Sequence, residues 1–419
     1  APGERVALQV EKSVEAVIIY LATLRAGAVF LPLNAAYTPS EVDYFLKDAE
    51  PAIFLQDAGA FVAEAGALEP DPRVEPRTAA DLASIIYTSG TTGRSKGAML
   101  THGALAANAL ALHEAWGFSP EDVLLHALPI FHVHGLFVAL HCAFLSGAPM
   151  VWLNRFEETA VLEGLARSTV MMGVPTFYTR LLASPGLTRE AVAHMRLFIS
   201  GSAPLLESAF EAFEARTGHR ILERYGMSEA VIITTNPLRG DRIAGSVGYP
   251  LPGVDLRIGG GEATGVIEIR GPSVFSGYWR MPEKTREEFT ADGFFITGDV
   301  GRLDPDGRLW ISGRAKDLII SGGYNVYPKE VELILDELPG IRESAVIGVP
   351  HPDFGEGVVA VVEAADPAPD EADLIARLRT QLAPYKTPKR IVFVDSLPRN
   401  AMGKVQKAHL RQTWGHLFK

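Results

Sequence analysis

A chain of 419 residues exceeds what one hydrophobic core usually supports, so two or more domains are expected. Hydrophobic residues make up 47% and the formal net charge is −11, which suits a globular protein and argues against a dedicated nucleic-acid binder. The only cysteine, Cys142, excludes an intramolecular disulfide and any cysteine-built metal cage, and fits a reducing, cytoplasmic compartment. No stretch is apolar enough to span a bilayer: the best candidate, Val133–Leu153, is broken by His134, His141, Ser146 and Pro149. There is no signal peptide, and the opening Ala1-Pro2-Gly3 carries no methionine, so further sequence is expected before it.

In chain order, Glu15–Gly27 reads as an amphipathic helix and Ala28–Leu33 as a buried strand ended by proline. Ser40–Asp48 is a second helix, its Ser-Glu-Val-Asp start resembling a capping box. Ile53–Leu55 is a short strand, and Asp57–Arg77 is irregular and rich in alanine and proline. Helices alternating with short apolar runs imply βα units and a largely parallel sheet, hence an α/β fold.

The apolar run Leu82–Ile86 leads into Tyr87-Thr88-Ser89-Gly90-Thr91-Thr92-Gly93-Arg94-Ser95-Lys96-Gly97. Glycines let a backbone turn tightly against a ligand, and successive free N–H groups in such a turn attract anions. The hydroxyls of Thr88, Ser89, Thr91 and Thr92 add donors, and Lys96 adds a mobile positive charge, so the loop suits a polyphosphate. It is not a Walker A loop, since Lys96 is followed by Gly97 rather than by Ser or Thr. The plainer alternative is a polar surface turn.

A helix at Gly103–Ala115 and a strand at Val123–Leu125 precede Leu128-Pro129-Ile130-Phe131-His132-Val133-His134-Gly135-Leu136. The two histidines are either partly exposed loop residues or part of a pocket; nothing supplies a third ligand at zinc spacing. Three further apolar runs, Thr169–Val174, Leu197–Ile199 and Arg220–Glu223, each end in a polar segment. These are Pro175-Thr176-Phe177-Tyr178 (opening a helix), Ser200-Gly201-Ser202-Ala203-Pro204, and Arg224-Tyr225-Gly226-Met227-Ser228-Glu229. Ligands of parallel sheets bind at the carboxyl ends of strands, where these segments fall.

From Val247 the pattern changes to short β segments, among them Val254–Ile258, Gly265–Arg270 and Phe294–Asp299, as in a small barrel-like subdomain. Gly313–Tyr324 follows. Then the helix Pro328–Leu338, strands Ser344–Val349 and Val358–Val362 and the helix Asp370–Leu382 make a small α+β domain. Its tail reads Pro398-Arg399-Asn400-Ala401-Met402-Gly403-Lys404-Val405-Gln406-Lys407. Lysine supplies 11 of the 39 basic residues, which makes Lys96, Lys316 and Lys404, each inside a glycine-bearing motif, more pointed.

These motifs, in this order over essentially the whole chain, resemble the adenylate-forming superfamily of acyl-CoA synthetases, luciferases and peptide-synthetase adenylation domains. The resemblance implies a large N-terminal domain at 1–313, with a β-rich subdomain at about 247–313, and a mobile C-terminal domain at 314–419 hinged at 314–317. It makes Thr88–Gly93 and Lys96 the phosphate loop, with Thr88 beside the Mg²⁺ that Glu229 would hold. Ser202, Ala203, Pro204, Glu223, Arg224, Tyr225, Gly226, Met227 and Ser228 would surround the nucleotide. Asp299 would take the ribose hydroxyls with Arg314 nearby, although an Asp in a Gly-Asp turn is common anywhere. His132, Val133, His134, Ser200, Gly201 and Arg224 would line the acyl site, with His132 as its gate. Ser321, Gly322, Gly323 and Tyr324 would meet coenzyme A, Lys316 would be the pivot, and Lys404 the adenylation lysine. Compared with the family pattern, Asp57–Arg77 and Gly259–Gly261 look abbreviated.

The implied reaction joins a carboxylate to ATP with Mg²⁺ and passes the acyl group to CoA. Arg224 with His132 and His134 suggests a second negative charge on the acid, since arginine binds carboxylates in bidentate fashion. Arg-Tyr-Gly-Met-Ser-Glu together with His-Val-His-Gly-Leu is most similar to malonyl-CoA synthetases, with methylmalonate as a second candidate acid. The alternatives are pairing of Arg224 with Glu223 or a surface acid, a monocarboxylic or fatty acid as substrate, a carrier-protein thiol as acceptor, and a non-catalytic nucleotide binder.

Overall fold

The computed structural model describes residues 1–88, 95–261, 263–400 and 403–418. They divide into two compact units. The first holds Ala1–Arg257, Glu268–Ile296 and Pro305–Leu309; the second holds Ile258–Ile267, Thr297–Asp304 and Trp310–Lys419. The whole is an α/β protein with large sheets in its N-terminal part and a small α+β C-terminal part.

In the first unit, one sheet contains β1 (Arg5–Leu8), β2 (Val29–Pro32), β3 (Ile53–Leu55), β4 (Leu82–Thr88) and β5 (Lys96–Thr101), in the order β3-β1-β2-β4-β5. All pairs are parallel except β4 with β5. Helices α1 (Val14–Arg25), α2 (Pro39–Ala49), α3 (Ala58–Ala65) and α4 (His102–Trp116) lie along this stretch of chain. A second run of strands comprises β6 (Leu124–His126), β7 (Met150–Trp152), β8 (Val170–Gly173), β9 (Leu197–Ser200), β10 (Leu222–Met227), β11 (Val231–Thr235) and β12 (Ser246–Pro250). Their order is β12-β11-β10-β9-β8-β6-β7. From β7 to β10 the pairs are parallel, and β10, β11 and β12 then turn antiparallel. The inner parallel strands β6, β8 and β9 are buried along their whole length, as a sheet covered on both faces requires, while the edge strand β7 is half-buried. Leu125, Tyr178, Phe198 and Phe213 share one of the cores.

Several elements depart from the sequence expectation. The capping box of α2 is Thr38 with Glu41, not Ser40 with Asp43. Pro39 presets the first helical φ, so the helix starts one residue earlier than expected and its cap lies two residues earlier. Within Asp57–Arg77 the alanines form α3, capped by the Asp57 carboxylate accepting from the Ala60 N–H at 2.9 Å. The glycine-rich stretch does not lead straight into a helix. Lys96 begins β5, which folds back on β4 with Thr88 opposite Lys96 and Ile86 opposite Ala98. Gly97 permits this, since a Cβ there would meet Ile85 Cγ2 at 2.8 Å. Arg224–Met227 is not a loop after a strand but the second half of β10, because β11 supplies it with an antiparallel partner.

The division between the units runs through four strands, β13 (Asp255–Ile258), β14 (Gly265–Arg270), β15 (Phe295–Leu303) and β16 (Leu309–Arg314). Asp299 does not end its strand; β15 continues to Leu303 past Gly298 at φ 73°. The C-terminal part adds β17 (Ile319–Ser321), β18 (Tyr324–Val326), β19 (Ile341–His351), β20 (Gly355–Ala364) and β21 (Arg390–Val394), ordered β18-β17-β20-β19 with β21 paired to β20. Helices Pro328–Asp336 and Glu371–Arg379 pack on this sheet through Val331, Leu335, Leu374 and Leu378.

Candidate active site

The loop between β9 and its next helix, the end of β10 and the segment after β6 bring Ser200, Gly201, Ser202, Arg224 and His134 together. Arg224 is only 4% exposed, and its Nε and Nη2 have no hydrogen-bond partner among the described residues. Its guanidinium lies under Gly201, where a Cβ would stand 2.6 Å from the guanidinium carbon. Neighbouring strand residues point to opposite faces, so Glu223 does not pair with it. Instead Glu223 Oε1 accepts from the Leu205 N–H at 3.4 Å, and the Gly245 N–H also donates to that carboxylate. Burial raises Glu223 to about 8 and lowers Arg224 to about 9, so the arginine stays charged at neutral pH and the glutamate is largely protonated.

His134 is buried, and its Nδ1 lies 3.3 Å from Ser202 Oγ. Burial first, then the positive charge of Arg224, holds its pKa well below the usual histidine range, so the ring is neutral. Its Nε2 and the Oγ of Ser200 join the Arg224 nitrogens as buried polar atoms without partners among the described residues. His132 is half-buried, and its Nδ1 accepts from the His134 N–H at 3.4 Å. Residues His134–Ala139 form a π-helix, a rare geometry that is frequent at functional sites. Ser202, at φ 70°, occupies left-handed backbone that non-glycine residues avoid; Ala203 and Pro204 beside it are exposed.

A second cluster gathers around Glu229, in the tight connection between β10 and β11. Tyr278 Oη donates to Glu229 Oε1 at 3.0 Å. Lys96 Nζ sits 4.0 Å above the Tyr278 ring and 3.4 Å from Glu288 Oε1. Lys96 is therefore held, not mobile. The predicted phosphate lysine and the predicted metal carboxylate thus meet through one tyrosine, with Thr88 paired to Lys96 across β4 and β5. The hairpin is strained: Val231 has φ 58°, unusual for a β-branched residue, and a Cβ on Gly226 would strike the Val231 carbonyl at 1.9 Å. Ser89–Gly93 fall outside the described residues. Among those described, no three His, Cys, Asp or Glu side chains could hold a metal. One buried carboxylate nevertheless fits Mg²⁺, which keeps most of its waters and leans on substrate phosphates.

In the second unit, Arg314 Nε pairs with Asp299 Oδ1 at 3.0 Å, so the two residues expected at a ribose are already neighbours. Lys316 lies in a one-turn 3₁₀ helix, Ala315–Asp317, where burial and then Arg314 lower its pKa. Ser321 is buried, and Gly322 and Gly323, at φ 59° and 82°, turn β17 into β18. Tyr324 is exposed and stacks on Tyr385 at 4.7 Å. Lys404 follows a turn in which its N–H donates to Asn400 Oδ1 at 3.0 Å.

Two residues escaped the sequence reading. Tyr278 sits in a Gly-Tyr-Trp run that gives no sign of a partner 49 residues earlier. Lys12 is 6% exposed and donates to His126 Nδ1 at 2.8 Å and to the carbonyls of His126 and Leu153 at 2.7 and 2.6 Å.

Residues 1–279 match the AMP-binding enzyme family and residues 330–404 the AMP-binding enzyme C-terminal domain. The chain belongs to the AMP-binding enzyme family. Among members of known structure, an ATP-bound MatB from Rhodopseudomonas palustris is 52% identical, with a TM-score of 0.96 covering 100% of this chain and 90% of that one. A malonyl-CoA ligase in a ternary product complex with methylmalonyl-CoA and AMP is 40% identical, with a TM-score of 0.69 over 94% of this chain and 91% of that one. A malonate–CoA ligase from Arabidopsis thaliana is 37% identical over 98% of this chain and 78% of its own length. No helix among the described residues is long and apolar enough to cross a membrane.

Proposed function

We propose that this protein is an AMP-forming malonate–CoA ligase. Malonate and ATP give malonyl-adenylate and pyrophosphate, and the thiol of coenzyme A then displaces AMP to give malonyl-CoA. The observation that carries the choice of acid is Arg224: a buried, charged guanidinium with two unpaired nitrogens, beside unpaired Ser200 Oγ and neutral His134. Buried donors without partners are costly, and a second carboxylate on the substrate would satisfy them. A monocarboxylate would leave them bare.

The first step brings two anions together, so positive charge must be in place before they meet. In our reading Lys96 meets the phosphates, and Glu229 with Thr88 would hold the Mg²⁺ that neutralises them. Tyr278 keeps the Glu229 carboxylate oriented through its hydroxyl. Asp299 and Arg314 receive the ribose, Ser202–Pro204 and Tyr225–Ser228 the nucleotide, His132 and His134 the acid. Lys404 serves adenylation and Ser321–Tyr324 serve coenzyme A. We place the domain boundary at 313/314 and the pivot at Lys316. A cytoplasmic location belongs to the same reading, with cell fractionation as its check.

The test is AMP release from malonate, methylmalonate, butyrate and octanoate, each with and without coenzyme A. Malonate should lead in kcat/KM and require coenzyme A for sustained turnover. Preference for butyrate or octanoate would overturn the assignment of the acid.

A further inference from the structure

Lys12 has three N–H donors and no acceptor, and all three are used: on His126 Nδ1, on the His126 carbonyl and on the Leu153 carbonyl. The Gly135 carbonyl, 3.0 Å from His126 Nε2, can only accept, so the proton of a neutral ring sits on Nε2 and the Nδ1 lone pair faces Lys12, whose own pKa burial pulls down to about 7. Burial, reinforced by the Lys12 charge, keeps the ring neutral by pulling His126 down to about 3. The Trp152 ring covers both partners, 4.1 Å from the ammonium and 5.0 Å from the imidazole.

The geometry joins distant pieces. Lys12 lies after β1 of the first sheet; His126 ends β6, and Leu153 follows β7 of the second. The ring-to-carbonyl bond closes the loop His126–Gly135, which carries His132 and His134. Gly135 is the second residue of the π-helix, and no side chain fits there, since a Cβ would stand 2.0 Å from the Pro129 carbonyl. That bond fixes where His134 enters the pocket.

We propose that Lys12 and His126 are positioning residues for the acyl site, a buried relay in which the Gly135 carbonyl and Lys12 together set the tautomer of His126 and His126 holds the loop bearing His132 and His134. This rests on the malonate reading only for the choice of substrate. Neither residue touches the acid, so their effect passes through the loop. Partners that orient a ligating residue from behind typically matter by about 10- to 100-fold, the size expected here in KM for malonate.

The experiment uses the full chain and four proteins: wild type, Lys12→Met, His126→Gln and His126→Leu. Two-bond ¹H–¹⁵N correlation spectra should show His126 of the wild type protonated on Nε2, and a mixture of tautomers in Lys12→Met. Lys12→Met and His126→Leu should raise KM for malonate about 10- to 100-fold with KM for ATP unchanged. His126→Gln, whose amide N–H can still donate to Gly135, should recover most of that loss at a Tm similar to His126→Leu. A wild-type ring protonated on Nδ1 would overturn the relay. So would Lys12→Met, His126→Gln and His126→Leu losing all parameters together in proportion to Tm, the behaviour of a purely structural staple. If the wild type prefers butyrate, the malonate reading fails by itself; the relay is then measured on butyrate with the same expected KM split.

Discussion

With Arg224 as the proposed partner of malonate's second carboxylate, truncating it removes one side of a buried ion pair, which costs roughly 3–5 kcal/mol. At about 1.4 kcal/mol per decade, Arg224→Leu should lower kcat/KM for malonate by roughly two to three and a half orders of magnitude. Butyrate never uses the guanidinium and should lose little. Proportional losses for both acids would make Arg224 structural. Its neighbour Glu223 predicts a pH effect. Its folded pKa, about 8, lies above its ordinary 4.5, so the native state holds a proton that the unfolded chain releases. That contribution is fully present below pH 4.5 and is lost as pH rises through about 8, on the order of a few kcal/mol. Urea unfolding at pH 5 and pH 8.5 should show a smaller fall for Glu223→Gln than for wild type, and equal falls would reject the shift. At this scale the sequence was legible where residues sit in motifs, as Arg224, His134 and Glu229 do. It was silent on Lys12 and Tyr278, whose partners are 114 and 49 residues away. No local pattern encodes such pairings.

Strands and helices were easier to read than their ends and partners. Apolar runs placed β8, β9 and the start of β10 because fully buried parallel strands leave an unbroken hydrophobic signature. Antiparallel add-ons were missed: β5 and the second half of β10 carry Lys, Gly, Arg and Tyr, and only their hairpin partners make them strands. The same hairpin logic explains why Gly226 must lack a side chain. Gly226→Ala would drive a methyl into the Val231 carbonyl, so β10 and β11 would have to separate around Glu229. We expect a lower Tm together with an adenylation rate reduced by at least about 100-fold, since the connection carrying the proposed Mg²⁺ ligand moves. The comparison is Gly340→Ala, at φ 86° in the other unit, where strain should lower Tm while adenylation survives. If Gly226→Ala adenylates normally, the tight turn is not what holds Glu229.

For the molecule as a whole, one site must run two reactions with different demands, and the proposed pivot lets it do so. Lys404 should matter to the first only: Lys404→Ala should cripple malonyl-adenylate formation yet leave coenzyme A attack on supplied malonyl-adenylate nearly intact. Equal loss in both halves would remove the case for a moving domain. Lys316 tests the motion itself. It sits in a 3₁₀ turn, a conformation whose typical φ lies near the value proline imposes, so Lys316→Pro should be accommodated in the present conformation. The ring then fixes φ near −65° and forbids the rotation a pivot needs. It also crowds Ala315, so Tm is measured alongside. Lys316→Ala, which removes the amine but not the rotation, isolates the backbone effect. We expect Lys316→Pro to form malonyl-adenylate at a rate near that of Lys316→Ala, while thioester formation falls by at least about 100-fold in the proline variant alone. Pyrophosphate release and malonyl-CoA appearance, followed separately, report the two steps. If both variants complete both steps alike, the chain turns about some other residue, and the hinge at 314–317 is wrong.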